Sequence, residues 1–344
     1  MQELSKKGLK VFFALKKYMS DFVNVPLDLS CKLFDTLIRP ILLYNSEVWF
    51  MEDYLSFYKS MSRSRLHGTS CDTLSFADKL CFEKIHLKYC KTILGIKRTA
   101  CNIATKTELG RHPLDSFIKT QVMMYFSRIH SKGINPLVKE AYILNKNMHE
   151  NGIFTWHTFA KEIFAEFQLE NCDFENYDKP FKLVKNSFKH VIKKTVKEQY
   201  DKLILEKLSS IDDSSKLFLY SKLKKEIGLE EYLKIEQNFK YRQLLTKFRL
   251  SDHTLEVELG RYKNIPRNQR LCKTCKVLED EVHFFLFCKI NDNLRLPFVD
   301  FIESKFPSFN QLDSIEKIKI ILNPDKNILS NVCTFIKRSL EART

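Results

Sequence analysis

Glycine and proline are scarce in this chain, which has eight Gly and nine Pro among its 344 residues. Both frequencies are roughly a third to a half of the usual level. No two glycines lie closer together than Gly95 and Gly110. A P-loop or a dinucleotide-binding fingerprint needs several glycines within a few residues, so that backbone N–H groups can approach phosphate. The sequence therefore excludes both kinds of nucleotide site.

Long apolar runs are also missing. Hydrophobic residues make up 44% of the chain, charged residues 29%, and the mean hydropathy is -0.29, values typical of a soluble globular protein. No segment approaches 18 consecutive apolar residues, so we expect neither a membrane span nor a membrane partner. The apolar run Val11–Leu15 is too short for a secretory signal. We therefore expect a nuclear or cytoplasmic protein whose ten cysteines are thiols or metal ligands rather than disulfides.

The net charge of +15 is the strongest feature that the composition does show. Such an excess suits an anionic partner, RNA or DNA above all, although a lysine-biased soluble protein is the alternative. The net charge is +9 over residues 1–135, +1 over 136–240 and +5 over 241–344. The pattern predicts three domains: helical over 1–135, a helical connector over 136–240, and a basic C-terminal domain over 241–344.

Apolar residues recur at steps of three and four in most of the sequence, for example from Leu114 to Ile129. Strand alternation is rare, and the best candidate is a short hairpin at 270–279. The acid-rich stretch Glu170–Lys179 predicts a loop. We expect a mainly α fold of helix bundles with a small C-terminal zinc-knuckle module of β-hairpin plus helix. Beyond residue 150, helices are predicted at 153–167, 181–208, 216–249, 298–306, 313–322 and 327–340.

One predicted helix carries a lysine stripe. Its lysines step by three and four along a single face, at Lys182, Lys185, Lys189, Lys193 and Lys197. A solvated polar face explains this pattern, and a phosphate-contacting face is the alternative.

The most specific motif is Cys-x2-Cys-x7-His-x4-Cys, formed by Cys272, Cys275, His283 and Cys288. Thiolate and imidazole ligands in such a set are what Zn²⁺ prefers. Because four protein ligands leave no open position, the predicted zinc is structural rather than catalytic. The acids at 279–281 are expected in the first turn of a helix carrying His283, and the apolar residues 284–287 are expected to bury the module.

Two other cysteine interpretations are weaker. Cys81, His86, Cys90 and Cys101 resemble a second metal set, but Cys81 and Cys90 face opposite ways on a helix, so we interpret these residues as core. Nucleophilic Cys/His catalysis is a further alternative that spacing alone does not exclude, because such partners meet only in the fold, but no catalytic residue is predicted.

Basic residues without any acid precede the motif, in GRYKNIPRNQRLCKTCK. A nucleic-acid contact typically combines cations that bind phosphate, an aromatic ring that stacks on a base, and a rigid support, here the metal site. The alternative is a basic loop that only balances the acids at 279–281. The predicted contact residues are Arg261, Tyr262, Lys263, Arg267, Arg270, Lys273 and Lys276.

Several stretches together are similar to one family. KKGLKVFFALKKYM, LSCKLFDTLIRPILLYNSEVW and CFEKIHLKYCKTILGIKRTACNIATKTELGRHPL resemble the region after the catalytic palm in reverse transcriptases of non-LTR, LINE-type, jockey-like retrotransposons. LEVELGRYKNIPRNQRLCKTCKVLEDEVHFFLFC resembles the Cys/His end of the same polyproteins. The resemblance covers roughly residues 5–130 and 240–295. It implies a thumb-like domain over 1–135 that positions an RNA template and nicked DNA.

This chain departs from the family at the residues that carry polymerase chemistry. The resemblance implies a palm located before Met1, with paired aspartates in a strand turn, whereas the Asp212-Asp213 pair here follows a polar Ser-Ser-Ile stretch. Asn45 stands where the family's Leu-Leu-Tyr-Gly stretch has glycine. We therefore expect a non-enzymatic, nucleic-acid-binding fragment of such a polymerase, whose partners include the rest of the polyprotein. A zinc-stabilised protein-binding scaffold and an active polymerase are the alternatives.

Overall fold

A computed structural model describes residues 2–21, 25–66, 73–170, 181–236 and 238–343 of the chain. No helix in these ranges is long and apolar enough to cross a membrane. The predicted loop after Glu170 lies outside them. The α-helices are, in chain order, α1 Gln2–Asp21, α2 Leu27–Leu33, α3 Arg39–Leu42, α4 Ser46–Leu66, α5 Thr73–Ala77, α6 Cys81–Leu94, α7 Asn102–Glu108, α8 Leu114–Ile129, α9 Pro136–Glu150, α10 Trp156–Glu166, α11 Phe181–Ser209, α12 Phe218–Leu223, α13 Glu231–Ile235, α14 Phe239–Arg249, α15 Glu256–Tyr262, α16 Asp292–Lys305, α17 Ser314–Leu322 and α18 Leu329–Glu341.

The mainly α fold class is thus confirmed, while the predicted β-hairpin is not formed. The described residues contain no sheet and only two isolated antiparallel bridges, Leu109 with Leu229 and Leu271 with Leu278. Within the described ranges, two segments are π-helical and three are 3₁₀-helical. These are Phe34–Ile38 and His283–Phe287 (π), and Arg267–Gln269, Lys289–Asn291 and Phe309–Gln311 (3₁₀).

Contacts within the chain define two units, each assembled from three sequence segments. Unit 1 comprises Met1–Phe12, Asp35–His86 and His112–Ile204, and unit 2 comprises Phe13–Phe34, Leu87–Arg111 and Leu205–Thr344. A composition change along the chain cannot reveal such discontinuous units. The division into three domains at residues 135 and 240 therefore stays a prediction.

Unit 1 is built on α4, α8, α9 and α10, which pack on one another. Its core is aromatic: the ring of Phe126 lies 5.1 Å from Phe164, and Phe159 lies 5.0 Å from Tyr54. The Trp156 indole N–H donates to the Glu47 carbonyl at 2.7 Å, which fastens the start of α10 to α4. Burial of these rings is the main favourable contribution to the stability of the unit.

Four prolines stand at helix starts, where their lack of an N–H is tolerated, whereas Pro297 lies inside α16. Pro26 and Pro113 are the N-cap residues of α2 and α8, and Pro136 is the first residue of α9. Pro40 lies in the first turn of α3, directly after the π-helical segment. Asn45 has a φ of 53°, in the left-handed region that asparagine tolerates better than most residues.

The single helix predicted at 216–249 is wrong, because the structure breaks it into α12, α13 and α14. Residues between α12 and α13 turn away from helical geometry so that Leu229 can pair with Leu109 and the Glu230 N–H can donate to the Glu108 carbonyl at 3.3 Å. The Asn238 side chain then caps α14 by accepting from the Lys240 N–H. Helical periodicity alone does not show these long-range partners.

A buried charge network explains why the break occurs there. Arg249 is completely buried, and its Nε donates to Glu108 Oε1 at 2.5 Å while Nη2 donates to Glu230 Oε2 at 2.7 Å. Its Nη1 donates to the Leu322 carbonyl at 2.7 Å. Tyr232 donates its hydroxyl to Glu108 at 2.7 Å. The side chain of one α14 residue therefore joins α7, the segment before α13, and the end of α17 within unit 2.

Replacing Arg249 with methionine should strongly destabilise the chain. The substitution leaves the buried Glu108 carboxylate without its cation, whereas Glu230 keeps its ion pair with Lys224. Loss of the partner of a buried charge costs about 3–5 kcal/mol. Chemical denaturation measures the change in the free energy of unfolding. The control is Lys234→Met, which removes an exposed ion pair with Glu231 and should cost less than about 1 kcal/mol. Similar losses for both variants would contradict the proposed importance of the network.

Candidate metal centre

The four residues of the Cys/His motif come together in unit 2. One ligand atom from each of Cys272, Cys275, His283 and Cys288 lies within 4.8 Å of all the others. The sulfur of Cys288 is 3.9 Å from that of Cys272 and 4.0 Å from that of Cys275. These separations are far longer than a disulfide bond. They are close to the edge of about 3.8 Å expected for a tetrahedron with Zn–S bonds of about 2.3 Å.

A tight turn positions the first two cysteines. The Cys272 N–H donates to the Val277 carbonyl at 2.8 Å, and the Lys276 N–H donates back to the Cys272 carbonyl at 3.0 Å. Lys276 has a φ of 58°, a left-handed conformation that reverses the chain directly after Cys275. The bridge between Leu271 and Leu278 closes the turn. The two sulfurs therefore face the same point without a regular hairpin.

A π-helical turn positions the other two ligands. The Cys288 N–H donates to the His283 carbonyl at 2.8 Å, an i to i+5 bond. Asp280 caps the start of this turn by accepting from the His283 N–H at 2.8 Å. The Lys289 N–H points to the Cys275 sulfur at 3.4 Å, which stabilises negative charge on that sulfur. Both halves of the motif thus converge through backbone hydrogen bonds.

The donor chemistry of the cluster fits a metal ion. His283 Nε2 is buried without a hydrogen-bond partner among the described residues, which a bound ion would remedy. Burial, followed by the nearby Arg343 charge, lowers the pKa of His283, so its imidazole is in the neutral form that ligates metal. Three sulfurs and one imidazole nitrogen match zinc and leave no position for substrate. The cluster therefore suits a structural ion.

The thiols have different proton affinities in the metal-free chain. Burial acts to raise the pKa of Cys275, but the hydrogen bond from the Lys289 N–H and the neighbouring thiols outweigh it, and the pKa is lowered. Burial raises the pKa of Cys288 to about 11. Metal binding must therefore displace a proton from Cys288 at neutral pH.

The three adjacent acids each have a separate structural role. Asp280 is the cap described above. Glu279 accepts from the Glu256 N–H at 2.9 Å and pairs with Arg343 near the end of the described chain. Glu281 accepts from Ser251 at 3.0 Å and contacts the His253 ring at 2.9 Å. The three carboxylates therefore fix the metal segment to its surroundings.

Two of the predicted contact arginines are engaged within the module. Arg270 donates to the carbonyls of Ile265 and Val257, both at 2.8 Å, and Arg261 donates to Glu258 at 2.8 Å. Gly260 leaves room for the Arg270 side chain, since a Cβ at residue 260 would lie 2.6 Å from the Arg270 Cγ. These guanidinium groups hold the loop between α15 and the metal turn.

The other predicted contact residues are on the surface. They are Tyr262, Lys263, Arg267, Lys273 and Lys276. Tyr262 is 51% exposed, and its hydroxyl lies 3.1 Å from that of Thr99. Two further residues lie on the surface next to Cys288: Lys289 is exposed, and Phe287 is 58% exposed although the sequence predicts that it is buried. In the sequence, the only signal for Lys289 is that it is a basic residue directly after the last ligand, Cys288.

The remaining aromatic residues of the turn are buried as predicted. Phe284 and Phe285 are fully buried, and their rings lie 4.8 and 5.3 Å from that of Phe248 on α14. Phe335 of α18 packs 5.9 Å from Phe285. Because the π turn is short, these two rings face the core while Phe287 faces solvent. The metal cluster is therefore anchored to the core of unit 2 by two rings.

No second metal cluster forms in the part of the chain that the structure describes. His86 and Cys90 are completely buried, and the His86 Nδ1 lies 3.1 Å from the Glu83 carboxylate. The core interpretation therefore holds for His86 and Cys90, whereas Cys81 and Cys101 are half-buried.

No family model, curated protein or solved structure matches the chain. The resemblance to LINE-type reverse transcriptases therefore rests on the quoted motifs alone.

Replacing Cys272 with serine should remove the metal. We expect about one zinc per purified chain and much less than one in the variant, with a loss of thermal stability, because metal binding contributes to folding. Elemental analysis by plasma mass spectrometry measures the zinc content. The control is Cys101→Ser, a half-buried thiol of unit 2 outside the cluster, which should retain the metal. Equal zinc content in the two variants would refute the site.

Proposed function

We propose that this chain is a nucleic-acid-binding helical protein in which a structural zinc ion holds a basic surface rigid. The observation that supports it is a set of exposed cations around the metal cluster that form no ion pair among the described residues. This surface, named the knuckle surface, comprises Lys263, Arg267, Lys273, Lys276, Phe287 and Lys289. Of these cations, Arg267 acts electrostatically on the Asp280 carboxylate without forming an ion pair with it. Cations that form no ion pair attract a polyanion, and they release its bound counterions on binding.

Phe287 adds a second kind of contact. A ring that is 58% exposed beside a rigid metal turn loses apolar hydration when an unpaired base stacks on it. Neighbouring cations at Lys276 and Lys289 would hold the flanking phosphates. The knuckle surface therefore suits single-stranded RNA or DNA better than a closed duplex, in which the bases are already stacked.

The family resemblance supports the same conclusion and extends it. We propose that the chain corresponds to the thumb and Cys/His regions of a LINE-type reverse transcriptase and has no polymerase activity alone. Asp212 lies in an exposed turn after α11 and accepts from Ser214 N–H and Oγ at 2.8 and 2.6 Å, instead of following a sheet strand. Nucleotide incorporation on a primed RNA template by the purified chain would overturn this part of the proposal.

A protein-binding scaffold is the second candidate, and one observation favours it. Leu137, Leu144 and Met148 lie on one face of α9 and are 73%, 63% and 44% exposed. An apolar helix stripe of this kind is a common docking surface for a partner helix. Partner binding that persists at high salt would favour the scaffold, whereas binding that weakens steeply with salt favours nucleic acid.

Neutralising three knuckle lysines should weaken nucleic-acid binding. The variant is Lys273→Gln, Lys276→Gln and Lys289→Gln, measured by fluorescence anisotropy with a labelled single-stranded oligonucleotide at several salt concentrations. Each phosphate contact contributes about 0.7 to the slope of log affinity against log salt, so the slope should fall by about 2. The control removes the same charge from exposed lysines of unit 2 outside the module: Lys225→Gln, Lys326→Gln and Lys337→Gln. Identical slopes in both variants would contradict a phosphate-binding role for the knuckle surface.

Phe287→Ala tests stacking separately from charge. We expect a loss of about 5- to 100-fold in affinity for the single strand, the range for removal of one stacking ring, and little change for a duplex of the same sequence. Leu296→Ala is the control, because Leu296 is an apolar residue with 67% exposure on α16. Parallel losses for single strand and duplex would exclude base stacking.

A further inference from the structure

A groove in unit 1 gathers positive charge away from the metal module. It has a volume of about 390 Å³ and lies between residues of α8 and α11. Lys185, Lys189 and Lys193 line it from α11, and Arg128 lines it from α8. The lysines are three members of the stripe noted in the sequence, at steps of four residues, or about 6 Å along the helix axis.

The three lysines in the groove form no ion pair with any residue that the structure describes. Glu47 is the single acidic residue among the described residues that line the groove. Neighbouring lysines outside the groove behave differently: Lys197 pairs with Asp201 at 3.2 Å. The same helix therefore carries internally paired lysines outside the groove and unpaired ones inside it.

The charges in the groove also raise one another's energy. Burial, followed by the positive charges of Lys189 and Arg39, lowers the pKa of Lys193. Arg39 lies over the Phe117 ring at 4.4 Å and pairs with Asp35 at 3.0 Å, so its position is fixed. A bound anion would relieve this repulsion, since opposite charge stabilises the protonated lysine.

Neutral donors complete the lining. Gln121 accepts from the Ser46 hydroxyl at 2.8 Å, which fixes its amide and leaves its nitrogen without a protein acceptor among the described residues. Tyr125 packs edge-on against Trp156 at 5.4 Å, which holds its ring in the groove wall. Amide and hydroxyl donors beside several cations are the combination that binds phosphate oxygens.

We propose that this groove binds the phosphodiester backbone of a nucleic acid, as a second site separate from the knuckle surface. The spacing of Lys185, Lys189 and Lys193 along one helix presents successive cations to successive phosphates of a single strand. A backbone contact of this kind carries no base preference. This site goes beyond the proposed function because it lies in unit 1, whereas the knuckle surface lies in unit 2. Binding at the groove therefore holds or fails independently of the metal module.

The test compares two variants of the full chain with equal charge. The groove variant is Lys185→Gln, Lys189→Gln and Lys193→Gln. The control is Lys194→Gln, Lys197→Gln and Lys202→Gln, which changes exposed lysines of the same helix. The probes are a labelled single-stranded RNA, the matching single-stranded DNA and the DNA duplex, each titrated over a range of salt concentrations. Circular dichroism checks that both variants keep their helix content.

We expect the groove variant to bind either single strand about 100-fold more weakly than the wild type at about 0.1 M salt. This value follows because each lost contact forfeits a factor of about five from counterion release. The control should lose less than about tenfold. A larger loss for the duplex than for the single strands would still support a phosphate site but would overturn the single-strand assignment. Equal losses in groove and control variants would overturn the site.

The knuckle variant distinguishes this failure from failure of the proposed function. If the knuckle variant binds like the wild type while the groove variant does not, the groove is the phosphate site and the knuckle proposal is wrong. If only the knuckle variant loses affinity, the second site is refuted and the proposed function stands. A variant that combines both sets should lose the product of the two factors if both sites act on one strand.

Discussion

The Arg249 guanidinium is the interaction on which unit 2 depends. A fully buried cation is tolerated only when anions and carbonyls surround it, and here they come from three separate places in the sequence. The next residue back along α14 is Phe248, whose ring packs on Phe284 and Phe285 of the metal turn. The bonds of Arg249 therefore fix the position of α14 in unit 2. Through the neighbouring Phe248, they also fix the apolar surface on which the metal turn packs.

The metal cluster and the buried core have complementary roles. The core holds Phe284 and Phe285 in place, and the zinc ion that we propose at the Cys/His cluster would hold the short loops that carry the cysteines. On loops held in this way, the backbone fixes the positions of the cations, so that no ion pair with a carboxylate is needed to do so. A rigid basic surface with an exposed ring can thus exist without a β-sheet. Nucleic-acid binding by this surface is our proposal, and the unpaired lysines of the groove in unit 1 extend it.

Local features of the structure could be predicted from the sequence. Apolar periodicity located α8, α10, α11, α17 and α18 to within a few residues, and the Cys/His spacing identified four residues that do lie together. Those patterns depend on neighbours within about ten positions, which a single sequence displays. The cap formed by Asp280 was foreseeable for the same reason.

Features set by distant residues could not be predicted. Nothing near Gly228 in the sequence indicates that Glu230 must reach Arg249, and so the break between α12 and α13 was missed. Burial of Phe284 and exposure of Phe287 depend on which face of one turn meets α14. The engagement of Arg270 by backbone carbonyls likewise depends on the path of a loop around Gly260. Charge composition showed that cations are abundant but not which ones are neutralised.

The π turn from His283 to Cys288 has a consequence for how such sites are encoded. An α-helical turn returns to the same side after four residues, so its two ligands would be separated by three residues. Here the i to i+5 bond admits one more residue, and the ligands are separated by four. The number of residues between His283 and Cys288 therefore reflects the backbone hydrogen-bond pattern of the turn that carries them. Insertion of one residue in a helix can relocate an aromatic ring from core to solvent while both ligands keep their partners.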